Sequence, residues 1–170
     1  MQKKYKNIIL TGMMGAGKTT VGKELATIMN CNFIDLDETI EKNYGKISDI
    51  FKQKGEEYFR QIETLELKKL NIQETFVLST GGGIVLKDEN IKILQTLGYV
   101  FYLEASTDTI YERIKNQKHR PLLNTPDPKR SIEEILSKRK KLYENSGEKI
   151  TVNNKNVKEI AEEIYERIVR

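Results

Sequence analysis

Short apolar stretches alternate along this chain with longer segments in which apolar residues recur every three or four positions. Short apolar runs bounded by polar residues predict buried β-strands, and the longer period predicts amphipathic helices. The predicted strands are 6–10, 32–35, 76–79, 100–103 and 150–152. The predicted helices are 18–29, 37–43, 47–54, 56–70, 88–96, 107–116, 132–143 and 157–169.

The order of these elements predicts an α/β fold, with a five-stranded parallel sheet and helices on both faces. Ligands of such sheets bind beyond the carboxyl ends of the strands. The 170 residues contain no repeat and no long linker, so we expect a single domain over 1–170.

Composition narrows the function classes. The formal net charge of +4 comes from 29 basic and 25 acidic residues that are scattered along the chain, so we expect no nucleic-acid partner. Cys31 is the single cysteine, which excludes an internal disulfide and fits a reducing compartment. No apolar run approaches the roughly 18 residues of a membrane span. We therefore expect a cytoplasmic protein with no membrane partner.

The segment 12–19 has the spacing G-x-x-x-x-G-K-T of a phosphate-binding loop, and it lies between a predicted strand and a predicted helix. Its glycines let several backbone N–H groups converge, and the helix directs its positive end at the same point. Lys18 adds a charge near the outer phosphates, and the Thr19 hydroxyl is a ligand for Mg²⁺. We name residues 12–19 the phosphate loop.

Asp35 and Asp37 close the second predicted strand. In an extended segment, side chains two residues apart point the same way, which would place both carboxylates beside the phosphate loop. One would then lie near Mg²⁺ and its waters, and the other near an acceptor hydroxyl. Alternatively, Asp37 caps the next helix, and its position alone favours neither interpretation.

Arg60 has Glu56 four residues before it and Glu63 three residues after it, on one helix face. This spacing is typical of a weak surface ion pair. It is also what a guanidinium needs if flanking carboxylates hold it in position to bind an anionic substrate. Both interpretations stay open from the sequence.

Arg139 lies seven residues after Ile132, on the apolar stripe that continues to Tyr143. An arginine that points inward needs a partner, because an unpaired buried charge is costly. A substrate carboxylate would supply that partner through a bidentate contact. The alternative is a side chain whose head group reaches solvent.

Two further loops carry candidate chemistry. Gly81, Gly82 and Gly83 follow the strand 76–79 and allow close backbone approach to a ligand, unless they form an ordinary flexible turn. All three prolines fall within 117–129, a basic segment that also contains Arg120. That segment predicts a lid over the nucleotide, with an ordinary surface connection as the alternative.

Together these segments resemble the shikimate kinase family, in the nucleoside-monophosphate-kinase-like branch of phosphate-loop proteins. The resemblance covers nearly the whole chain. It rests on 12–19, Asp35-Leu36-Asp37, 59–63, 81–83, 120–123 and 139–143. It implies transfer of phosphate from ATP to the 3-hydroxyl of shikimate, in the chorismate route to aromatic amino acids. It also implies a monomer, with shikimate-binding helices at about 36–62 and a lid at about 115–130.

The resemblance implies roles on the nucleotide side. Arg113 would pack on adenine, Arg120 would meet the transferring phosphoryl group, and Asp35 would join Thr19 near the metal. A second adenine contact within 153–156 is left open. The ATP phosphates would be bound by Gly15, Ala16, Gly17, Lys18, Thr19 and Thr20.

On the acceptor side, Asp37 would hold the shikimate hydroxyls and orient or deprotonate the attacking one. Arg60 and Arg139 would bind the shikimate carboxylate, and Gly81–Gly83 would contact the substrate, Gly82 through its backbone. The catalytic set implied is Lys18, Asp37 and Arg120.

Two other function classes stay open from the residues alone. A related small-molecule kinase, for gluconate or a nucleotide, would use the same phosphate loop. A nucleotide-dependent switch would also use it, but such a module has no need of the acceptor residues Asp37, Arg60 and Arg139.

Overall fold

The structure is a computed structural model that describes residues 7–70, 73–117 and 123–170. Five parallel strands pair in the order β2-β3-β1-β4-β5, which confirms the predicted fold class. The strands are β1 (Ile8–Thr11), β2 (Asn32–Asp35), β3 (Phe76–Ser79), β4 (Tyr99–Glu104) and β5 (Glu148–Thr151).

Eight α-helices connect and cover the strands in the described part of the chain. A short 3-10 helix at Ile84–Leu86 follows β3. The helices are α1 (Lys18–Met29), α2 (Leu36–Tyr44), α3 (Ile47–Lys54), α4 (Glu56–Lys68), α5 (Asp88–Leu97), α6 (Thr107–Ile114), α7 (Pro128–Ser146) and α8 (Val157–Val169).

Helix α7 is longer than the predicted 132–143 at both ends. It begins at Pro128, where the missing N–H of proline costs nothing because the first N–H groups of a helix have no partner within it. The Asp127 side chain caps it by accepting a hydrogen bond from the Arg130 N–H at 3.1 Å. The prolines had marked this region as loop, but one of them starts the helix.

The core lies on both faces of the sheet. Successive strand residues point to opposite faces, so the complete burial of Ile8, Ile9 and Leu10 means that helices cover both sides of β1. Helix α1 packs against α8 and β3, and α5 and α7 pack against β4. Within the described ranges, no helix is long and apolar enough to cross a membrane.

The sheet register brings three loops to one edge. Leu10 of β1 and Asp35 of β2 both lie opposite Ser79 of β3, on either side of that strand. The chain therefore leaves β1, β2 and β3 at the same level, and the segments that follow lie side by side. These are the phosphate loop, the start of α2, and Gly81–Gly83, which we name the glycine loop.

Candidate active site

The phosphate loop makes a tight turn from β1 into α1. Gly15 adopts φ 80° and Gly12 adopts φ 144°, conformations that L side chains rarely take. A Cβ on Gly12 would lie 2.7 Å from the Leu103 carbonyl oxygen, so neighbouring backbone also requires glycine there. Because α1 begins at Lys18, the positive end of its dipole faces the loop.

Lys18 folds back over this loop and is only 8% exposed. Its Nζ donates hydrogen bonds to the carbonyl oxygens of Gly12 at 2.7 Å and Met13 at 3.0 Å. These contacts hold the ammonium group close to the amides of the phosphate loop. The charge of Lys18 therefore lies beside the concave side of the turn that the phosphate loop makes.

Asp35 joins the phosphate loop to α2. One carboxylate oxygen accepts a hydrogen bond from the Thr19 hydroxyl at 2.8 Å, and the other accepts one from the Glu38 N–H at 3.2 Å. Asp35 is thus the N-cap of α2, and the alternative that Asp37 caps this helix is wrong. The expectation that the two carboxylates point the same way because both lie in an extended segment has the wrong reason, because Asp37 lies in the first turn of α2.

Asp35 and Asp37 nevertheless line the same cavity, which has a volume of about 330 Å³. Asp37 faces this cavity because it lies in the first turn of α2, and not because it lies two residues after Asp35 in a strand. The other lining residues come from the phosphate loop, the glycine loop and α6 with the residues after it: Met14, Gly15, Gly17, Lys18, Thr19, Thr20, Thr80, Gly82, Arg113 and Gln117.

Asp37 has a perturbed carboxyl group. Burial raises its pKa above the ordinary value of 3.8, and the charge of Asp35 adds to that rise. Lys18 and Arg60 act in the opposite direction, since their positive charges favour the carboxylate. A carboxyl group placed between two cations in a cavity beside a phosphate loop is suited to hold or accept a hydroxyl proton.

Arg60 lies in α4 and is held by carboxylates of the same helix. Its Nη1 donates to Glu63 at 2.5 Å and its Nη2 to Glu56 at 3.3 Å. The side chains of Arg60 and Glu63 are only 11% and 0% exposed, so the surface ion-pair interpretation is wrong. Burial raises the pKa of the Glu63 carboxyl, against the lowering effect of Arg60.

Two polar atoms of this pair stay unsatisfied. Arg60 Nε and Glu63 Oε1 are buried and have no hydrogen-bond partner among the described residues. Buried polar atoms are costly without a partner, so natural proteins leave few of them. Such atoms mark a site that is suited to receive a polar ligand.

The glycine loop packs directly against these side chains. A Cβ on Gly81 would lie 2.9 Å from Asp37 Oδ1 and 3.2 Å from Glu63 Oε1. A Cβ on Gly83 would lie 2.3 Å from Arg60 Nη2. The absence of side chains on the loop is therefore what lets the acidic and basic groups of α2 and α4 reach it.

Helix α7 reaches the same loop from the other direction. Arg139 is partly buried, and its Nη1 donates to the Gly82 carbonyl oxygen at 3.3 Å. The side chain thus points to the site, as its place on the apolar stripe predicted. Tyr143, one helical turn later, donates to the same oxygen at 2.5 Å.

Arg113 of α6 lines the cavity beside the phosphate loop. Its Nη1 donates to the carbonyl oxygens of Ala16 at 2.7 Å and Gly15 at 3.4 Å, on the outer side of the phosphate loop. Within 153–156, the Asn153 side chain accepts hydrogen bonds from Ser106 N and Thr109 Oγ1. Arg120 and the central part of the predicted lid lie outside the described residues.

The complete burial of Glu63 and the contact of Tyr143 with the Gly82 carbonyl oxygen were not predicted from the sequence. A signal for Glu63 was present, because it lies four residues after Phe59 and four before Leu67, both of which are buried. For Tyr143 there was no such signal, since a tyrosine on an apolar stripe is typical of any core.

Comparisons with known proteins agree over nearly the whole chain. The family model described as shikimate kinase matches residues 14–169. The shikimate kinase of Thermodesulfovibrio yellowstonii is 45% identical over 167 residues, which cover 96% of each chain. That of Caldanaerobacter subterraneus subsp. tengcongensis is 42% identical over 166 residues, or 97% of each chain. The shikimate kinase from Acinetobacter baumannii, solved in complex with shikimate, superposes with a TM-score of 0.90 at 36% identity, covering 96% of this chain and 93% of that one.

Proposed function

The chain belongs to the shikimate kinase family and catalyses the ATP-dependent phosphorylation of shikimate in aromatic amino acid biosynthesis, and we propose that it does so in the cavity described above. One observation carries the proposal. Lys18 of the phosphate loop and Asp37 of α2 line the same cavity, and the buried Arg60 acts on Asp37 from the acceptor side. A donor site and an acceptor site therefore meet at one carboxyl group.

The phosphate loop is the proposed ATP site. Backbone N–H groups of 15–20 and the positive end of α1 would bind the phosphates, and Lys18 would neutralise the outer ones. Arg113 would pack on adenine, which its position beside Gly15 and Ala16 supports. Arg120, from the predicted lid, would meet the phosphoryl group in transit.

Thr19 and Asp35 are the proposed protein groups at Mg²⁺. Both offer the hard oxygen atoms that this ion prefers, and their oxygens lie 2.8 Å apart. The described residues hold no cluster of three or more His, Cys, Asp or Glu side chains, which fits an ion bound mainly by phosphate and water. When bound, Mg²⁺ supplies positive charge to the phosphates.

Arg60 and Arg139 are the proposed partners of the shikimate carboxylate. A guanidinium group binds a carboxylate through two parallel hydrogen bonds, which fixes the orientation of the ring. The two arginines approach the glycine loop from α4 and α7, and the unpartnered Nε of Arg60 supports a ligand there. Held in this way, the acid would present its 3-hydroxyl to Asp37.

Catalysis then depends mainly on alignment and charge. Phosphoryl transfer passes through a loose transition state with negative charge spread over the moving group. Lys18 and Arg120 would stabilise that charge, and Asp37 would orient or deprotonate the attacking hydroxyl. The arginine pair would hold the acceptor in line with the donor.

A coupled assay that measures the release of ADP tests the proposed function. We expect release that depends on shikimate and does not rise with gluconate or a nucleoside monophosphate. Release that depends on one of the other acceptors would assign the chain a different kinase activity. Release that ignores every acceptor would favour a nucleotide-dependent switch.

We also propose a cytoplasmic monomer that needs no macromolecular partner. The resemblance of the chain to the shikimate kinase family supports this state. Sedimentation would then give a mass near 19.7 kDa with and without substrates. A stable dimer would contradict the proposal.

A further inference from the structure

The Gly82 carbonyl oxygen accepts hydrogen bonds from two side chains of α7. Tyr143 Oη donates at 2.5 Å, and Arg139 Nη1 donates at 3.3 Å. Gly82 is the middle residue of the glycine loop, which packs against the acidic and basic groups of the acceptor site. The tyrosine hydroxyl thus makes the shorter of the two contacts that fix this loop from α7.

The ring of Tyr143 is held firmly enough to set the position of its hydroxyl. Its side chain is 0% exposed, and it stacks on Tyr102 of β4 with ring centroids 5.2 Å apart and planes 13° apart. Burial raises the pKa of the Tyr143 phenol above its usual value, so the hydroxyl keeps the proton it donates. The same oxygen lies 3.8 Å from the sulfur of Met13 in the phosphate loop.

The hydrogen bond determines how the glycine loop faces the cavity. In a planar trans peptide, the carbonyl and the following N–H point in opposite directions. Holding the Gly82 carbonyl toward α7 therefore turns the Gly83 N–H away from α7. Gly83 is also the residue against which the Arg60 guanidinium packs, so the orientation of this peptide and the position of Arg60 are linked.

We propose that Tyr143 is a positioning residue for the acid substrate: through the Gly82 carbonyl, it fixes the glycine loop against Arg60 and Arg139. This inference rests on the proposed function of those arginines. Tyr143 does not touch the reacting atoms. Its effect is on the binding of the acceptor and not on the nucleotide or the chemical step.

Tyr143→Phe isolates this role, because it keeps the ring and removes only the hydroxyl. We expect the KM for shikimate to rise about tenfold, in line with the loss of one strong buried hydrogen bond. We expect kcat to change less than about threefold, and the calorimetric affinity for ADP to stay the same. A purely structural role would shift melting temperature without this separation of KM from kcat.

Tyr99→Phe is the matched control. The Tyr99 hydroxyl donates to Glu148 at 2.6 Å at the opposite end of the sheet, so its loss also removes one part-buried hydrogen bond. We expect this variant to lose stability without a change in the KM for shikimate. If Tyr143→Phe behaves like Tyr99→Phe, with unchanged KM, the inference is wrong.

A second variant covers a failure of Tyr143→Phe to fold. Tyr102→Leu removes the ring that stacks on Tyr143 but leaves the hydroxyl, and we expect it to raise the KM for shikimate alone. An unchanged KM in this variant would also overturn the inference. A wild-type protein that shows no shikimate-dependent ADP release would instead overturn the proposed function.

Discussion

Asp37 and Glu63 place two carboxyl groups against the same glycine, Gly81, and burial raises the pKa of both. A raised carboxyl pKa means that the folded state binds the proton more tightly than the unfolded chain does. The stability that this proton adds is present at low pH and is lost as the pH rises through the raised pKa. Near neutral pH, the charged groups therefore reduce the stability of the fold in favour of the site.

Replacement of Asp37 by Asn tests this trade directly. Asparagine keeps the shape and removes the buried charge, so we expect the melting temperature at pH 7 to rise by about 2–4 °C, equivalent to about 1 kcal/mol in a chain of this size. Turnover should fall by about 10²-fold or more, as expected for loss of a group that orients or accepts a proton. Calorimetric scans and the ADP assay measure the two effects.

The pH dependence of stability gives the control. The difference in melting temperature between Asp37→Asn and wild type should shrink as the pH falls through the raised pKa of Asp37, because wild-type Asp37 then becomes neutral. A variant that is less stable than wild type at pH 7 would contradict the assignment of burial as the main cause of the shift.

The variants Arg60→Ala and Arg139→Ala should differ in stability, although both arginines are proposed to bind the acceptor. Arg60→Ala leaves Glu63 buried without its partner, so we expect a loss of about 3 kcal/mol in the free energy of unfolding. Arg139→Ala removes a long contact to the Gly82 carbonyl and an interaction with the Tyr143 hydroxyl but leaves no buried carboxylate without its main partner, so its stability should change less. Both variants should weaken shikimate binding by at least about tenfold, measured by calorimetry.

The same two variants could also give results that contradict these expectations. Equal losses of stability in the two variants would mean that the buried ion pair of Arg60 contributes nothing specific. Unchanged shikimate affinity in either variant would remove that arginine from the proposed acceptor site.

At the scale of single residues, the sequence indicated which residue types carry chemistry better than it indicated how deeply each side chain is buried. The phosphate loop could be identified because its spacing is tied to one chemistry, and Arg139 because charge on an apolar stripe needs a partner. The spacing of Arg60 and Glu63 is the same for a surface pair and a buried one, so their burial could not be read from it. The buried neighbours of Glu63 at four-residue spacing, Phe59 and Leu67, and the packing of the glycine loop over α4 distinguish the two.

In the glycine loop, side chains of neighbouring elements occupy the space that a Cβ atom would fill. Gly83 has φ −97°, an ordinary conformation for any residue, so its backbone does not require glycine. A Cβ there would lie 2.5 Å from Arg60 Cζ, which is the far end of a flexible side chain. Alanine at this position therefore displaces the guanidinium while leaving the strand and the loop backbone intact.

Gly83→Ala should consequently change binding more than folding. We expect the KM for shikimate to rise at least about tenfold, the KM for ATP to stay within about twofold, and the melting temperature to fall by no more than a few degrees. These values follow from moving one arginine that is proposed to pair with the acceptor carboxylate. Steady-state kinetics with each substrate varied in turn would measure them.

Gly45→Ala is the contrasting variant. Gly45 has φ 93°, and a Cβ on it would have no neighbouring atom within 4 Å, so alanine there costs backbone strain and makes no clash. We expect lower stability and an unchanged KM for shikimate. If Gly83→Ala shows that same pattern, contact with Arg60 is not what requires a glycine in the loop.

The elements themselves were predictable except where two signals competed. Strand positions followed from apolar runs, and the sheet order agrees with helices that alternate with parallel strands. The start of α7 was missed because Pro128 belongs to a proline-rich segment, yet a capped helix tolerates proline in its first turn. Asp35 and Asp37 were treated as one extended segment that closes the predicted strand 32–35, but the chain turns into α2 directly after Asp35.

Across the whole molecule, the two halves of the site depend on different elements that meet at one sheet edge. The proposed donor half uses the turn from β1 to α1 together with α6, and the proposed acceptor half uses α2, α4, α7 and the glycine loop. The phosphate and glycine loops touch, since a Cβ on Gly82 would lie 3.2 Å from Met14 N. The carboxyl group of Asp37 interacts electrostatically with both halves, through the positive charges of Lys18 and Arg60.

This division predicts that ligand stabilisation of the fold can be separated into two parts. ADP at 100 times its dissociation constant should add about 2.7 kcal/mol to the free energy of unfolding, because it binds only the folded state. That corresponds to a rise of about 5–11 °C in melting temperature for a chain of this size.

In Arg139→Ala, the ADP shift should persist while the shift with shikimate at its wild-type saturating concentration falls sharply, because the substituted side chain contacts only the acceptor half. Thermal scans with each ligand alone measure both shifts, with Arg170→Ala, an exposed arginine that pairs with Glu166, as the control that should keep both. Loss of the ADP shift in Arg139→Ala would show that the two halves are not built independently.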